Sequence, residues 1–177
     1  MKIVLTGFMG AGKSATGKIL ARQLKLKFID TDRIIEKRAG QLIKEIFQLH
    51  GEPFFRSLEK KVVAVVARKD GVVIAAGGGA IIDPVNRRNL KKNGIVIFLM
   101  VSPDEIRKRV AGAGNSRPLL NVSNNAGDGL YPLPKKDMIE KLLAKRLPLY
   151  RKADICVDTD NKNPREVAQE IIKKLKL

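Results

Sequence analysis

The sequence predicts an α/β domain in which helices cover both faces of a parallel β-sheet. Short runs of β-branched and apolar residues alternate with helical stretches, a pattern typical of βαβ units. A glycine-rich turn lies between the first such run and the first helical stretch. The chain has 177 residues, 44% of them hydrophobic and 30% charged, enough for one domain to bury a sizeable core. We therefore expect a single three-layer domain over residues 1–177, with the sheet in the middle.

Five segments are predicted to be strands. Several are nearly continuous apolar runs, as expected for strands that are covered on both faces. The five are Lys2 to Thr6, Lys27 to Asp30, Val72 to Ala76, Ile95 to Val101 and Ile155 to Asp158.

Helix boundaries are marked by prolines, glycines and capping residues. Pro53 stands where the first turn of a helix would begin, and Ser102 to Glu105 has the pattern of a capping box. The last segment, Pro164 to Leu175, places its apolar residues on one helical face. The stretch Asn121 to Pro134 is rich in Asn, Gly and Pro and is interpreted as a mobile loop. Helix stops are predicted at Gly40, Gly51, Gly71 and Gly94.

Several protein classes are excluded by composition. No stretch approaches the roughly 18 consecutive apolar residues of a membrane span, and the amino terminus turns polar too early for a secretory signal. With one cysteine, Cys156, and one histidine, His50, the chain has no disulfide framework and no Cys/His zinc site. We expect a soluble, cytoplasmic protein without a membrane partner, in which oxygen atoms hold any metal.

The net charge of the chain is +17, from 35 Lys and Arg against 18 Asp and Glu. Such an excess is compatible with nucleic-acid binding, with a solvated lysine-rich surface, or with an enzyme whose substrates are anions. Aromatic residues make up only 5%, Trp is missing, and no nucleic-acid-binding module is recognisable. The excess is uneven, with eight basic and two acidic residues over 87–117 but six and five over 31–60. We expect anionic substrates and no nucleic-acid partner.

The strongest local motif is Gly7-Phe8-Met9-Gly10-Ala11-Gly12-Lys13-Ser14. It matches the Gly-x4-Gly-Lys-[Ser/Thr] pattern and stands between a predicted strand and a predicted helix. Its glycines let backbone N–H groups turn toward a phosphate, and the helix adds its positive end. Lys13 would bridge the β- and γ-phosphates, and Ser14 offers a hydroxyl to Mg²⁺. The motif predicts binding of a nucleoside triphosphate with Mg²⁺.

The segment Asp30-Thr31-Asp32 ends the second predicted strand, at the sheet edge where ligands bind. Two residues apart on an extended chain, the carboxylates of Asp30 and Asp32 would project the same way. One could hold Mg²⁺ through water, and the other could align a substrate hydroxyl for in-line attack. A helix cap at Asp32 is an alternative that the sequence leaves open.

Glycines and arginines complete the candidate site. Gly77-Gly78-Gly79 ends the third predicted strand and lets a ligand touch the backbone. Arg56 follows two phenylalanines, and Glu59 could orient it. Arg117, on a predicted loop, could swing over the phosphates, and Arg146 offers a planar fork suited to a carboxylate. Each arginine taken alone is equally typical of a plain surface residue.

Together these motifs resemble the shikimate kinase family, P-loop kinases of the nucleoside monophosphate kinase type, over essentially the whole chain. The segments that carry the resemblance are Gly7 to Ser14, Asp30-Thr31-Asp32, Phe55-Arg56-x-x-Glu59, Gly77-Gly78-Gly79, Arg117-Pro118-Leu119-Leu120 and Arg146-x-Pro148-Leu149-Tyr150. The resemblance implies strand order 2-3-1-4-5, an acceptor-binding region at about 31–60 and a mobile lid at about 112–134. It implies a monomer that uses MgATP to phosphorylate the 3-hydroxyl of shikimate, giving shikimate 3-phosphate and ADP on the route to chorismate and aromatic amino acids.

The resemblance also implies a role for each matching residue. Arg56 and Arg146 would clamp the shikimate carboxylate, and Asp32 would hold ring hydroxyls and act as the base. Ser14 would bind Mg²⁺ directly and Asp30 through water. The catalytic residues would be Lys13, Asp32 and Arg117. The shikimate site would comprise Asp32, Arg56, Gly77, Gly78, Gly79 and Arg146. The ATP site would comprise Gly10, Ala11, Gly12, Lys13, Ser14, Ala15, Arg109, Arg117 and Lys162, with adenine between Arg109 and the turn Lys162-Asn163-Pro164.

One segment departs from the family pattern. Between Arg117 and Arg146 there are 28 residues, more than the family usually has, and the extra material is about Asn121 to Pro134. It would alter how the lid closes and how fast product leaves, without touching the acceptor residues. Two alternatives remain: another small-molecule kinase such as a gluconate or nucleoside monophosphate kinase, and a basic nucleic-acid-binding P-loop protein. The Arg56 and Arg146 fork and the triple glycine favour shikimate.

Overall fold

The computed structural model describes residues 1–111 and 136–177, which form five strands and seven α-helices. The strands are β1 (Lys2–Thr6), β2 (Lys27–Asp30), β3 (Val72–Ala75), β4 (Ile95–Met100) and β5 (Ile155–Asp158). The helices are α1 (Lys13–Gln23), α2 (Thr31–Ala39), α3 (Ile43–Val66), α4 (Pro84–Lys91), α5 (Pro103–Ala111), α6 (Lys136–Tyr150) and α7 (Pro164–Leu175), and a 3₁₀ turn covers Ala80–Ile82. Arg117 and the predicted lid at 112–134 lie outside the described residues.

The strands form one parallel sheet in the order β2-β3-β1-β4-β5, which confirms the predicted order. In the central strand, Val4 pairs with Ile74 on one side and Val96 on the other. β3 and β4 each end one residue before the predicted position, because the chain turns there into the glycine turn Gly77–Gly79 and into the start of α5.

Two hydrophobic cores separate the three layers, because successive side chains of a strand point to opposite faces. Ile3 and Leu5 of β1 pack in one core with residues of α1 and α7. Val4 packs in the other core with residues of α2, α3 and α4. Among the helices in the described ranges, none is long and apolar enough to cross a bilayer.

The helix expected to begin at Pro53 is the second half of a longer helix. Backbone angles at Gly51 (φ 76°, ψ 174°) break α3, and the helix resumes around Pro53. Only half of the capping box at α5 forms: the Glu105 N–H donates to the Ser102 hydroxyl at 3.2 Å. The Glu105 carboxylate instead pairs with Arg109. α7 begins at the predicted residue.

A buried lysine joins the ends of two helices on one side of the sheet. Lys2 is 3% exposed, and its ammonium donates to the carbonyls of Ala67 at 2.8 Å and Lys92 at 2.6 Å, the C-caps of α3 and α4. Burial lowers the pKa of Lys2 from its ordinary value. The N–H groups of its ammonium donate to carbonyl groups that a helix end leaves without hydrogen-bond partners.

Candidate active site

The predicted site residues converge on one cavity of about 490 Å³ at the carboxyl end of the sheet. The cavity is lined by the turn after β1, the first turns of α1 and α2, the middle of α3, the turn after β3, and α6. Predicted residues in this lining are Gly10, Gly12, Lys13, Ser14, Ala15, Asp32, Arg56, Gly77, Gly78, Gly79 and Arg146. Glu59 lines it too. The fold thus brings the predicted phosphate and acceptor residues to one space.

The phosphate-binding turn has the backbone conformation that its glycines predicted. Gly12 caps α1 in the left-handed region, with φ 84°, where a side chain would be strained. The Lys13 ammonium donates to the carbonyls of Gly7 at 2.9 Å and Phe8 at 3.0 Å, so it lies across the loop. Ala11 is buried in the core, which leaves its backbone as the group that can face a ligand.

The Ser14 hydroxyl oxygen and one carboxylate oxygen of Asp30 are neighbours between α1 and β2. The Ser14 hydroxyl donates to Asp30 Oδ2 at 2.6 Å. The other oxygen, Asp30 Oδ1, accepts from the backbone N–H groups of Asp32 at 3.1 Å and Arg33 at 3.4 Å. Asp30 therefore caps α2, and the alternative of a cap at Asp32 is wrong.

Asp32 reaches the cavity from a helix, so the expectation of two carboxylates on an extended chain is also wrong. The chain is already helical at Thr31, and Asp32 lies in the first turn of α2. Its Oδ1 atom is enclosed and has no hydrogen-bond partner within the described residues. Burial raises the pKa of Asp32 from 3.8 to about 6, against the opposing charge of Lys13. A carboxyl group that titrates near neutral pH suits proton transfer.

Arg56 is held between two glutamates on α3. Its Nη1 donates to Glu59 Oε2 at 2.8 Å, as the sequence suggested, and its Nη2 donates to Glu52 Oε1 at 2.9 Å. Glu59 is 1% exposed, and burial raises its pKa although Arg56 and Arg146 oppose the shift. Two anchors fix the guanidinium at the cavity wall. Sequence reasoning missed Glu52, although its i,i+4 spacing on a helix would have indicated it.

Arg146 is a buried guanidinium with spare donor capacity. Its side chain is 6% exposed and lies over the ring of Phe8, 5.6 Å from the ring centroid. Its Nη1 has no hydrogen-bond partner in the part of the chain that the structure describes. Buried polar groups are nearly always paired, so this donor fits an oxygen atom of a ligand.

The triple glycine makes room for the charged side chains around it. A Cβ atom on Gly77 would lie 2.5 Å from Asp32 Oδ1 and 3.0 Å from Glu59 Oε1. One on Gly79 would lie 2.5 Å from Arg56 Nη1. The two distances of 2.5 Å are shorter than real contacts of a Cβ atom, so Gly77 and Gly79 leave the space that these charged side chains occupy.

Two residues that sequence reasoning missed hold the triple glycine in place. The Thr31 hydroxyl accepts from the Gly77 N–H at 2.8 Å. The Tyr150 hydroxyl donates to the Gly78 carbonyl, and the Tyr150 ring stacks on Phe98 at 4.9 Å between centroids. Burial raises the pKa of Tyr150 to about 12, so the phenol keeps its proton. Both residues stand in motifs already quoted, but no local pattern reveals their partners.

The two basic residues predicted near adenine do not line this cavity. Arg109 donates to the Gly10 carbonyl at 3.1 Å and to the Thr159 carbonyl at 2.5 Å, which ties the phosphate loop to the end of β5. Lys162 pairs with Glu170 at 2.8 Å. Arg109 thus contacts both the phosphate-binding turn and the loop after β5, and Lys162 lies in that loop. Arg117, which is predicted to bind the ATP phosphates, is outside the described residues.

Comparison with known proteins gives one consistent family. A sequence model described as shikimate kinase matches residues 9–176. A shikimate kinase from Moorella thermoacetica is 47% identical over 174 residues, 98% of this chain and 94% of the relative. One from Thermodesulfovibrio yellowstonii is 42% identical over 171 residues, 97% and 92% of the two chains.

Solved structures agree with the sequence relatives. The shikimate kinase from Acinetobacter baumannii in complex with shikimate superposes with a TM-score of 0.89 at 36% identity, covering 99% of this chain and 92% of that one. A gluconokinase from Sinorhizobium meliloti superposes with a TM-score of 0.56 at 16% identity, covering 99% and 91%. The second likeness shows the common fold alone.

Proposed function

The chain belongs to the shikimate kinase family, and from that premise we propose how its own residues carry out the reaction. It is an ATP-dependent kinase that phosphorylates shikimate. The proposal concerns the contacts: which residues bind shikimate, which bind ATP and Mg²⁺, and which group accepts the proton. The observation that carries it is the placement of Asp32, Arg56 and Arg146 around the triple glycine in one cavity.

Arg56 and Arg146 bind the carboxylate of shikimate. The two guanidinium groups reach the cavity from different helices, one anchored by glutamates and one with an unpartnered Nη1 among the described residues. Charge-assisted hydrogen bonds from a planar fork fit a carboxylate well. The anchored arginine fixes the position of the anion, and Arg146 supplies the donor that is still unused.

Asp32 binds the hydroxyl that is phosphorylated, the 3-hydroxyl in the family, and takes up its proton. Its enclosed Oδ1 is an acceptor without a donor within residues 1–111 and 136–177. A pKa of about 6 leaves most of the carboxyl ionised at pH 7. A base with a pKa near the working pH is effective for this transfer.

The turn at 7–14 holds the phosphates, with Lys13 on the β- and γ-phosphates. Ser14 and Asp30 are the candidate Mg²⁺ residues, because their oxygens already lie 2.6 Å apart beside the loop. Among the described residues no group of three or more Asp, Glu, His or Cys could hold a metal ion. When bound, Mg²⁺ would neutralise negative charge on the phosphates.

Transfer of the γ-phosphoryl group is direct and in line, without a covalent enzyme intermediate. The contribution of the protein is to position the two substrates and to stabilise charge. Arg117 would add a positive charge over the phosphates, and Arg109 and Lys162 would lie toward adenine. A monomeric state, the cytoplasmic location and the absence of nucleic-acid and membrane partners stay predictions from the sequence.

Release of ADP from MgATP tests the proposal. The purified protein is assayed with shikimate, gluconate, nucleoside monophosphates or no acceptor. We expect turnover with shikimate alone, and equal low rates in every assay would contradict the assignment of the acceptor site. Lys13→Ala should reduce kcat more than it changes the KM for shikimate, whereas Lys173→Ala, on the outer helix α7, should change neither.

A further inference from the structure

A second cavity, of about 550 Å³, lies between α4 and the end of α6, over β1 and β4. None of its described lining residues belongs to the lining of the first cavity. Its apolar wall includes Leu90, Val96, Leu149 and Ala153. The volume falls within the roughly 300–1,000 Å³ of ordinary small-molecule sites.

The described lining of this cavity contains five basic and no acidic residues. Two of the five are engaged: Lys91 pairs with Asp154 at 3.0 Å, and Arg87 donates to backbone carbonyls. No ion pair within the described residues involves the remaining three, Arg88, Lys92 and Lys152. Positive charge at the mouth of an apolar cavity favours an anion.

A buried hydroxyl provides an independent sign of a ligand. Thr6 lines the cavity from β1 and is 1% exposed. Its Oγ1 has no hydrogen-bond partner among residues 1–111 and 136–177. Because buried hydroxyls are nearly always paired, this atom suits a polar group on an occupant that otherwise contacts hydrocarbon.

The cavity also touches one side chain that holds the triple glycine and one that holds the 3₁₀ turn after it. Tyr150 lines it and donates to the carbonyl of Gly78, which lines the first cavity. Arg87 lines it and donates to the carbonyls of Ile81 at 2.6 Å and Ile82 at 2.7 Å, in the 3₁₀ turn that follows. An occupant would therefore contact residues that fix one wall of the acceptor site.

We propose that this cavity is an effector site for a small anion with an apolar body, and that its occupation changes the affinity for shikimate. The anionic group would lie among the three unpaired cations and the apolar body between α4 and α6. The effect on shikimate rests on the proposed function, whereas binding to the cavity does not. A ligand couples two sites when it favours one arrangement of the element they share, here the turn at 77–79.

The first experiment measures binding with the acceptor site blocked by saturating ADP and shikimate. The probe is 8-anilino-1-naphthalenesulfonate, whose fluorescence rises in apolar surroundings, and the comparison is its uncharged counterpart N-phenyl-1-naphthylamine. We expect the anion to bind more tightly. The double variant Lys92→Gln and Lys152→Gln should weaken its binding by about three- to tenfold, while Lys69→Gln with Lys173→Gln, two exposed lysines elsewhere, should not.

Filling the cavity provides a second variant. Ala153→Leu should abolish binding of the anionic probe, with circular dichroism and uninhibited turnover confirming that the protein is folded. Equal affinity for the charged and uncharged probes would overturn the anion site. Binding that survives both Ala153→Leu and the Lys92 and Lys152 double variant would overturn the location.

The coupling is tested in the ADP-release assay at probe concentrations that saturate the fluorescence. We expect the KM for shikimate to change by about twofold or more and the KM for MgATP to stay constant, with no effect in Ala153→Leu. A saturated probe that leaves the KM for shikimate unchanged would overturn the coupling. Failure of the proposed function would be seen separately, as no shikimate-dependent turnover without probe.

Discussion

Replacing Asp32 with Asn should abolish most activity and at the same time stabilise the ligand-free protein. Burial raises the pKa of this carboxyl from 3.8 to about 6, so at neutral pH the fold holds a charge that its surroundings disfavour. A difference of about two pKa units corresponds to at most about 3 kcal/mol of stability. The amide has nearly the same shape without the charge, and its introduction removes that cost.

The sign of the pH dependence follows from the direction of the shift. The native carboxyl binds its proton more tightly than the unfolded one does, so its contribution to stability falls as pH rises. Below about pH 4 the carboxyl is protonated in both states, and its burial causes no loss of stability. The loss grows from about pH 4 to about pH 6, where the unfolded carboxyl ionises before the folded one, and it is complete above about pH 6. The advantage of Asp32→Asn should therefore be about 3 kcal/mol at about pH 7.5 and about half that at about pH 5.

Urea unfolding followed by circular dichroism measures this difference at both pH values. Other titrating groups cancel when the wild type and Asp32→Asn are compared at the same pH. Asp137→Asn, an exposed position on α6, serves as the control and should change stability by less than about 1 kcal/mol at either pH. In the ADP-release assay, kcat of Asp32→Asn should fall by about 100- to 10,000-fold.

Three results would refute parts of this reasoning. If the wild type and Asp32→Asn unfold at the same urea concentration at the higher pH, burial does not disfavour the charge. If the variant keeps its kcat, the carboxyl does not take up the proton. A stability gain that is independent of pH would point to packing rather than to ionisation.

Three further substitutions separate acceptor binding, backbone support and stability. Arg146→Ala should raise the KM for shikimate by the equivalent of about 2–5 kcal/mol with little change for MgATP, and an unchanged KM for shikimate would exclude the carboxylate contact. Tyr150→Phe removes the hydroxyl that holds Gly78, so the KM for shikimate should rise by about two- to tenfold; steady-state kinetics showing a fall in kcat alone would contradict this. Lys2→Met leaves helix-end carbonyls without a donor, so the free energy of unfolding in urea should drop by about 1–3 kcal/mol. The kinetic constants should stay unchanged. Equal stability of the two proteins would show that water replaces the ammonium.

The sheet was predictable because its strands are short apolar runs bounded by polar turns. Their order came from the resemblance to a family, since no local pattern reports which strands are neighbours. The sequence pattern predicts one extended segment for Asp30 and Asp32, but the helix begins between them at Thr31. An aspartate followed by a helical stretch is an N-cap, and this signal competed with the strand that ends there.

The missed contacts have two physical causes. Pro53 predicts a helix start that excludes Glu52, but the structure has one longer helix with a break at Gly51. The i,i+4 pair of Glu52 with Arg56 therefore does not follow from that prediction. The bond from Tyr150 to Gly78 joins residues 72 positions apart. No periodicity in the sequence can indicate such a contact, which depends on how α6 packs on the sheet.

The triple glycine also determines which amino-acid changes this chain can tolerate over evolutionary time. At Gly77 and Gly79 a methyl group would collide with charged side chains that line the site, so alanine there displaces residues that we propose to bind shikimate. At Gly78 the nearest atoms to an added methyl group lie at 3.5 Å, an ordinary contact. In a library of variants sorted separately for folded protein and for growth that requires the enzyme, Gly78→Ala should survive the first selection. The three neighbouring glycines at 77–79 would then differ in the substitutions that they tolerate.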